Sequence, residues 1–361
     1  MSKAAELAAL IGGQSSLAMS NMIINGDCRV AQRGTSTASI SGNTNFVVDR
    51  WMFNPSGHGT WTLSQNSSTG LSEFETSVKA LCTSGGGSPA ASDYVLFNYA
   101  IEGYDTQILK FGQSDAERFT ISFYVKSNKT GTGIVEAQTT SGGASVEYSR
   151  SFTISQANTW EKKSVTMIAN TSLEQDSANK TTSTGLAINF ILDSGTNQTT
   201  GTLPTTWADQ TFVNRWAGHD LGIGRNADDY MELTGLQVDV GDVAQPFKYE
   251  SYADNLKRCK RYYIRYSNSG NYAIGAAEDG TRGIFAFPAP DMRAAPTGTQ
   301  GTLTLGGGIG SPPSVTDISS VTNSGHGLDV LLTVGSGLTA KDALRIRATD
   351  TASFLAFDAE L

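Results

Sequence analysis

Cysteine, histidine and charge are all scarce in this chain. Its 361 residues include three cysteines, Cys28, Cys82 and Cys259, an odd number at wide spacing with no Cys-x-x-Cys pair, and no histidine stands at ligand spacing from them. That argues against a disulfide framework or a zinc site. Only 17% of the residues are charged, well below the roughly 25% of an average globular protein. The formal net charge of −8 does not suit a chain that works by neutralising phosphates, so no nucleic-acid partner is expected. Catalytic signatures are missing as well. His58, His219 and His326 sit in Gly-rich or polar segments, and neither Gly-x-Ser-x-Gly nor His-Glu-x-x-His occurs. The runs Gly85 to Gly87 and Gly306 to Gly308 lack the Lys-Ser/Thr ending of a phosphate loop and read as turns. Near the N-terminus the apolar stretch Ala8 to Ile11 is far shorter than a signal-peptide core or a membrane span. No membrane span is expected, and the chain is expected to fold in a cytoplasm.

What is abundant is glycine, 39 residues, together with Ser, Thr and Asn, against a 39% hydrophobic content. Short strands joined by many turns fit that profile, and the length suggests two or three domains. Ser2 to Ile11 reads as a short helix with Leu7, Leu10 and Ile11 on one side, stopped by Gly12-Gly13. Too short to be stable alone, it needs a partner surface, so residues 1–20 read as a docking arm. From Asn21 to about Glu250 the period becomes two. Phe119, Ile121, Phe123 and Val125 alternate with Thr120, Ser122, Tyr124 and Lys126, and similar alternation recurs at Leu186 to Leu192 and Leu236 to Val240. Turn clusters such as Ser84 to Pro89 separate these runs. The expectation is a mainly β protein with a jelly-roll-like antiparallel sandwich over 21–250. A connecting helix is expected at 251–265, with Tyr252, Leu256, Cys259 and Tyr263 at helical spacing, then a smaller β domain at 266–361. Pro288, Pro290 and Pro296 confine their segment to an edge or loop.

Several groups invite a chemical reading. Asp228, Asp229 and Glu232 offer carboxylates for a glycosidase pair, although such a pair must flank a cleft at a defined separation. The basic aromatic stretch Lys257 to Arg265 reads as an interdomain helix with a solvated face rather than a nucleic-acid surface. Sequons such as Asn66 and Asn128 reflect a polar β surface. Trp51, Trp61, Trp160, Trp207 and Trp216, with Tyr94, Tyr99 and Tyr104, are expected mostly in the core. Trp207 and Trp216, beside loop signals, are the best candidates for a sugar-stacking platform.

A set of segments in fixed order resembles a group of tailed-bacteriophage tail-fibre and virion proteins with a carbohydrate-binding-module-like jelly roll. They are Asn21-Met-Ile-Ile-Asn-Gly-Asp-Cys-Arg-Val-Ala-Gln-Arg-Gly34, Val48-Asp-Arg-Trp51, Ile101-Glu-Gly103, Phe111-Gly-Gln-Ser-Asp115 and Phe119-Thr-Ile-Ser-Phe-Tyr-Val-Lys-Ser127. Thr159-Trp-Glu-Lys-Lys163, Leu236-Gln-Val-Asp-Val-Gly-Asp-Val-Ala-Gln-Pro-Phe247, the helix from Ser251, Phe287-Pro-Ala-Pro-Asp-Met-Arg-Ala-Ala-Pro-Thr297 and Phe357-Asp-Ala-Glu-Leu361 continue it. Cys28 stands where that group more usually has Phe. The resemblance implies a structural virion protein assembled in the host bacterial cytoplasm, a tail-fibre subunit contributing to host-surface recognition, and with no catalytic signature in the sequence it is expected to be non-enzymatic. A capsid decoration or head fibre is the alternative, and a polysaccharide depolymerase a more distant one. Implied partners are other virion proteins through the N-terminal arm, two further copies in a homotrimer, and a host-surface glycan or receptor. Recognition is expected on loops and the C-terminal domain. In such modules the loop near the first strand often holds a structural calcium, which makes Asp27 with Asp239 a candidate ligand pair.

Overall fold

The computed structural model describes residues 21–42, 44–267, 269–289, 291–307, 312–324, 327–348, 350 and 352–361. The docking arm, with Leu7, Leu10 and Ile11, lies outside the described residues, as does His326. Two compact units divide the chain, the first ending at Tyr252 and the second running from Ala253 to Glu360.

The first unit is a sandwich of two antiparallel sheets. Its strands are β1 (Ser36–Ile40), β2 (Asn45–Phe46), β3 (Trp51–Ser56), β4 (Thr60–Asn66), β5 (Ser77–Ser84), β6 (Tyr94–Glu102) and β7 (Phe119–Ser127). They continue with β8 (Gly131–Ser141), β9 (Ala144–Ile154), β10 (Glu161–Met167), β11 (Thr184–Ser194), β12 (Ala208–Asp209) and β13 (Tyr230–Val240). One sheet has the order β1-β4-β5-β13-β7-β10 and the other β12-β9-β8-β11-β6-β3-β2. The chain passes repeatedly from one sheet to the other, which makes the architecture jelly-roll-like.

The two-residue period explains which face each strand buries. Phe119, Ile121, Phe123 and Val125 of β7 are fully buried, and Phe123 meets Phe152 and Phe190 at ring-centroid distances of 5.2 and 4.9 Å. Trp51 joins the same core through Phe97, Tyr99 and Phe190. On β13 the pattern shifts phase: Met231 and Leu233 are buried, then Leu236 and Val238. The register against β7 breaks between Thr234 and Gln237, and Gly235, at φ 62°, takes the bulge.

The opposite face of β7, expected to be wet, is only partly so. Thr120 and Ser122 are buried because the chain beyond β13 turns back over them. Thr120 Oγ1 donates to Gly241 O at 2.8 Å, and Gln237 Nε2 donates to the carbonyls of Gln245 and Pro246 at 3.2 and 3.3 Å. This return segment, 241–250, is the fold feature that shapes the site described below.

The second unit opens with the helix Tyr252–Cys259, so the helix expected as a connector is shorter and falls almost wholly within it. Cys259 is buried, while Tyr252, expected on the same stripe, is 53% exposed. Then come β14 (Tyr263–Ser267), β15 (Gly270–Ala277), β16 (Arg282–Phe287), β17 (Thr297–Gln300), β18 (Leu303–Gly307), β19 (Val315–Asn323), β20 (Leu328–Val334), β21 (Ala343–Ala348) and β22 (Phe354–Asp358). A three-stranded sheet β14-β22-β17 and a six-stranded sheet β18-β21-β15-β16-β20-β19 share a core that includes Phe285, Phe287, Leu305, Leu332, Ile346 and Phe357. Pro288 and Pro296 stand between strands, where a missing N–H costs no ladder bond.

Candidate functional site

Where the return segment faces the loop after β4, it closes a groove of about 340 Å³, lined by Glu73, Phe74, Tyr124, Lys162, Gln245, Phe247 and Tyr249 among others. That volume lies within the roughly 300–1,000 Å³ of ordinary small-ligand sites. Each wall has a local cause. The loop 67–76 is held by Trp160, whose Nε1 donates to Thr69 O at 2.9 Å, and by Thr69 Oγ1, which accepts from Leu71 N at 3.0 Å and donates to Phe74 O. Phe74 is thereby driven under the groove as its floor, 3% exposed. A Cβ on Gly235 would lie 2.8 Å from the Phe74 ring and 3.1 Å from that of Tyr124. The bulge that shifts β13 therefore also makes room for the aromatic floor.

The second wall is clamped at both ends, and the clamps are the two residues offered above as calcium ligands. Asp239 Oδ2 accepts from Gln245 N at 3.0 Å and its Oδ1 lies 3.3 Å from Lys248 Nζ. Asp27 Oδ2 accepts from Arg29 Nε at 2.5 Å, and the same guanidinium donates to Glu250 O at 2.7 Å. Each carboxylate is thus engaged by a cation of the protein, the opposite of a cage of oxygens awaiting calcium. Among the described residues no group of three or more His, Cys, Asp or Glu is arranged to hold a metal.

Four rings make the groove. Phe74 packs against Phe247 edge-on at 4.9 Å, against Tyr249 nearly face to face at 5.9 Å and 29°, and against Tyr124 at 5.3 Å. Tyr249 is 58% exposed, so its ring is available at the mouth. The polar groups converge on Glu73. Its carboxylate accepts from Tyr124 Oη, and its backbone carbonyl accepts from Tyr249 Oη at 2.9 Å. Burial, reinforced by the Glu73 carboxylate, pushes the Tyr124 phenol up to about 12; burial and Glu73 also raise Tyr249. Both phenols are therefore protonated donors at neutral pH. Lys162 Nζ stands 5.7 Å from the Tyr124 ring centre, bringing a cation to the same rim.

The tryptophans proposed as a platform lie elsewhere. Trp216 is fully buried, and Trp207 is 8% exposed. Trp207 donates from Nε1 to Ile168 O at 2.8 Å and packs on Phe111, Phe119 and Tyr148. Trp216 covers Leu96, Ile134 and Ile191 on the outer face of the other sheet, under the Arg215 guanidinium at 4.5 Å. Turn residues flank both, but their loops fold inward, and neither ring has a face left for a sugar. Of the three carboxylates considered for catalysis, Asp228 is exposed and the other two are anchors. Asp229 pairs with Lys129 at 3.0 Å and accepts from the Gly224 and Asn226 amides. Glu232 pairs with Lys79 at 3.4 Å and accepts from Asn66 and Ser77.

Two constellations escaped the sequence reading. Asp193 sits under a bidentate Arg225 at 2.8 and 3.0 Å, with His58 Nε2 3.4 Å away. His219, whose pKa burial lowers, bonds Ile191 O at 3.1 Å. Both histidines are pulled into a polar knot that ties loops together, a meeting that no spacing in the sequence announces. The second is the groove itself. Its signal was faint: Phe247 and Tyr249, apolar rings next to Pro246, in a segment with no strand period.

No protein-family model matches the chain, and no curated protein does. Among solved structures it shows loose likeness to the enzymatically active domain of tailspike protein 4 of bacteriophage CBA120, with a TM-score of 0.31 and 12% identity over 61% of this chain and 21% of that one. A CBM4 structure follows with a TM-score of 0.30 and 12% identity, over 60% of this chain and 97% of that one. TmCBM61 in complex with β-1,4-galactotriose gives 0.28 and 12%, over 61% and 98%. Scores this low carry no residue correspondence. Among the described residues no helix is long and apolar enough to cross a membrane.

Proposed function

We propose that this chain is a non-enzymatic appendage subunit of a tailed-phage virion, of tail-fibre type, and that it holds a host-surface glycan in the groove between Tyr124 and Tyr249. The observation that carries the binding part is the groove: an exposed tyrosine ring at its mouth, an aromatic floor, and protonated phenols, a carboxylate and an ammonium at its rim. A pyranose has apolar ring faces and a belt of hydroxyls, so it asks for this combination of ring and convergent polar groups. The clamps at Asp27 and Asp239 fix the wall before any ligand arrives, which lowers the ordering cost of binding. Binding without cleavage is the chemistry this lining supports. Glycoside hydrolysis uses two carboxyl groups facing each other, whereas Glu73 is the carboxylate in this lining and it is engaged by Tyr124. The virion placement rests on the ordered sequence segments described above. A single groove with an affinity near the millimolar range, about 4 kcal/mol, serves an appendage that engages in several copies.

The test is binding of the purified chain to surface polysaccharides extracted from susceptible and resistant bacteria, beside virion adsorption to the same cells. Tyr249→Ala and Lys162→Ala should each weaken binding by roughly tenfold, the size of one lost stacking or charged contact, with unchanged circular dichroism and no reducing sugar released. Binding that survives both substitutions would place the ligand elsewhere, and released reducing sugar would make the chain an enzyme.

A further inference from the structure

In the six-stranded sheet of the second unit, the face turned away from the core carries an apolar centre that none of the described residues covers. Ile274 is 78% exposed and Ile284 48% exposed, while Ala276 pairs with Ile284, and Ile284 in turn with Leu331. Directly paired residues share a face, so these side chains form one patch spanning β15, β16 and β20. Isolated exposed isoleucines are ordinary, but a contiguous apolar patch in the middle of a sheet face marks an interface.

Charge frames the patch asymmetrically. Arg345 on β21 pairs with Ile274 on β15, and Ala286 on β16 pairs with Asp329 on β20. Ile274 and Ala286 are the positions next beyond the Gly275 to Phe285 pair. Arg345, Ile274, Ala286 and Asp329 therefore lie in one row, a cation at one end and an anion at the other. Asp317, paired with Thr333 on the same acidic side, repeats the pattern one strand further out. Among the described residues neither Arg345 nor Asp329 has an ion-pair partner.

We infer that this face is where a second copy of the same chain docks. A two-fold axis lying in the interface and running along the strands turns the face over from side to side. Arg345 of each copy then meets Asp329 of the other, twice, with Ile274 and Ile284 closed between them; an axis across the strands would set arginine on arginine. A two-fold interface is self-complementary by construction, and two sheets stacked with strands nearly aligned are an ordinary packing mode. The pairing produces an even number of copies, where the sequence resemblance implied three, and it does not depend on the glycan reading.

Sedimentation of the full chain over a concentration series tests it. The unaltered chain should sediment as an even multiple of its own mass. Ile274→Asp with Ile284→Asp, both at exposed positions, should halve that mass or weaken association by roughly tenfold or more. Arg345→Asp and Asp329→Arg should each weaken it, through like charges facing across the axis, and the two together should restore it. A chain that stays monomeric, a mass that none of these changes alters, or a combined variant no better than the single ones would overturn the proposal, as would a face that captures only a different protein.

Discussion

The two sheets of the first unit bury their inner faces alike but treat their outer faces in opposite ways. On the outer face of the sheet containing β8 and β9, Glu136 and Glu147 are buried beneath Arg215, which binds Glu136 bidentately at 2.9 and 2.8 Å and lies 3.4 Å from Glu147. The loop that delivers Arg215 also delivers Trp216, so charge and indole seal that face together. On the outer face of the sheet containing β7, the return segment covers one end and stops short, leaving Tyr124, Lys162 and Tyr249 around an open groove. A covered polar network rigidifies and excludes solvent. A half-covered one can exchange its remaining water for a ligand, which is why the groove and not the network is read as the site.

The largest effect should separate the two sides of one strand. Phe123→Ala removes a fully buried ring from the core and should cost about 3–5 kcal/mol in urea unfolding. Tyr124→Ala, the next residue on the opposite face, should cost distinctly less and should instead abolish groove binding. Equal stability losses would break the comparison.

A somewhat smaller effect should come from the sealed network. Arg215→Ala leaves the buried Glu136 and Glu147 without their cation and should cost about 3 kcal/mol at pH 8, less under acid, where Glu147 is neutral. Glu147 alone then sharpens the point. Burial first, and Glu136 second, push it up to about 8 from the ordinary 4.5. The native state therefore holds a proton that the unfolded chain has released, and stability is full below about pH 4.5 and declines as pH rises toward 8. Glu147→Gln should flatten that slope and stabilise the protein at pH 8 by on the order of 2 kcal/mol. Unfolding curves at pH 5 and pH 8 decide it; an unchanged slope in the variant would mean that Glu147 is ionised in the fold.

Much of this architecture was legible in the sequence because alternation is a local signal: Phe119 to Val125 and Leu186 to Leu192 announce their buried face whatever surrounds them. Whether the other face is open is a long-range property. Thr120 reads as solvated until Gly241 folds across it, and Trp207 reads as a loop ring until it reaches Phe111 and Tyr148. Asp27 and Asp239 were singled out, but their role depends on Arg29 and Lys248, whose reach to them is a matter of geometry. Phe74, Tyr124, Phe247 and Tyr249 are far apart in sequence and carry no motif. They meet because Gly235 bulges and two loops are pinned.

The smallest predicted effect is confined to the groove and leaves the fold intact. The Tyr124 phenol is pushed up to about 12 from its ordinary 10.0, first by burial and then by Glu73. Because the folded pKa is the higher one, the neutral phenol is favoured by the fold, and the stability linked to it is full below about pH 10 and lost as pH rises toward 12. Glu73→Gln keeps the shape and the hydrogen-bond acceptor but removes the charge. The Tyr124 midpoint in an ultraviolet titration should then fall part of the way toward 10, the part due to burial remaining. Thermal stability at pH 7 should change by less than about 0.5 kcal/mol, since no core contact is altered, while the proposed glycan binding should weaken with the loss of the carboxylate. A Tyr124 midpoint that does not move in Glu73→Gln would show that the carboxylate and phenol are not in contact, and the rim of the groove would have to be redrawn around Lys162 and Tyr249 alone.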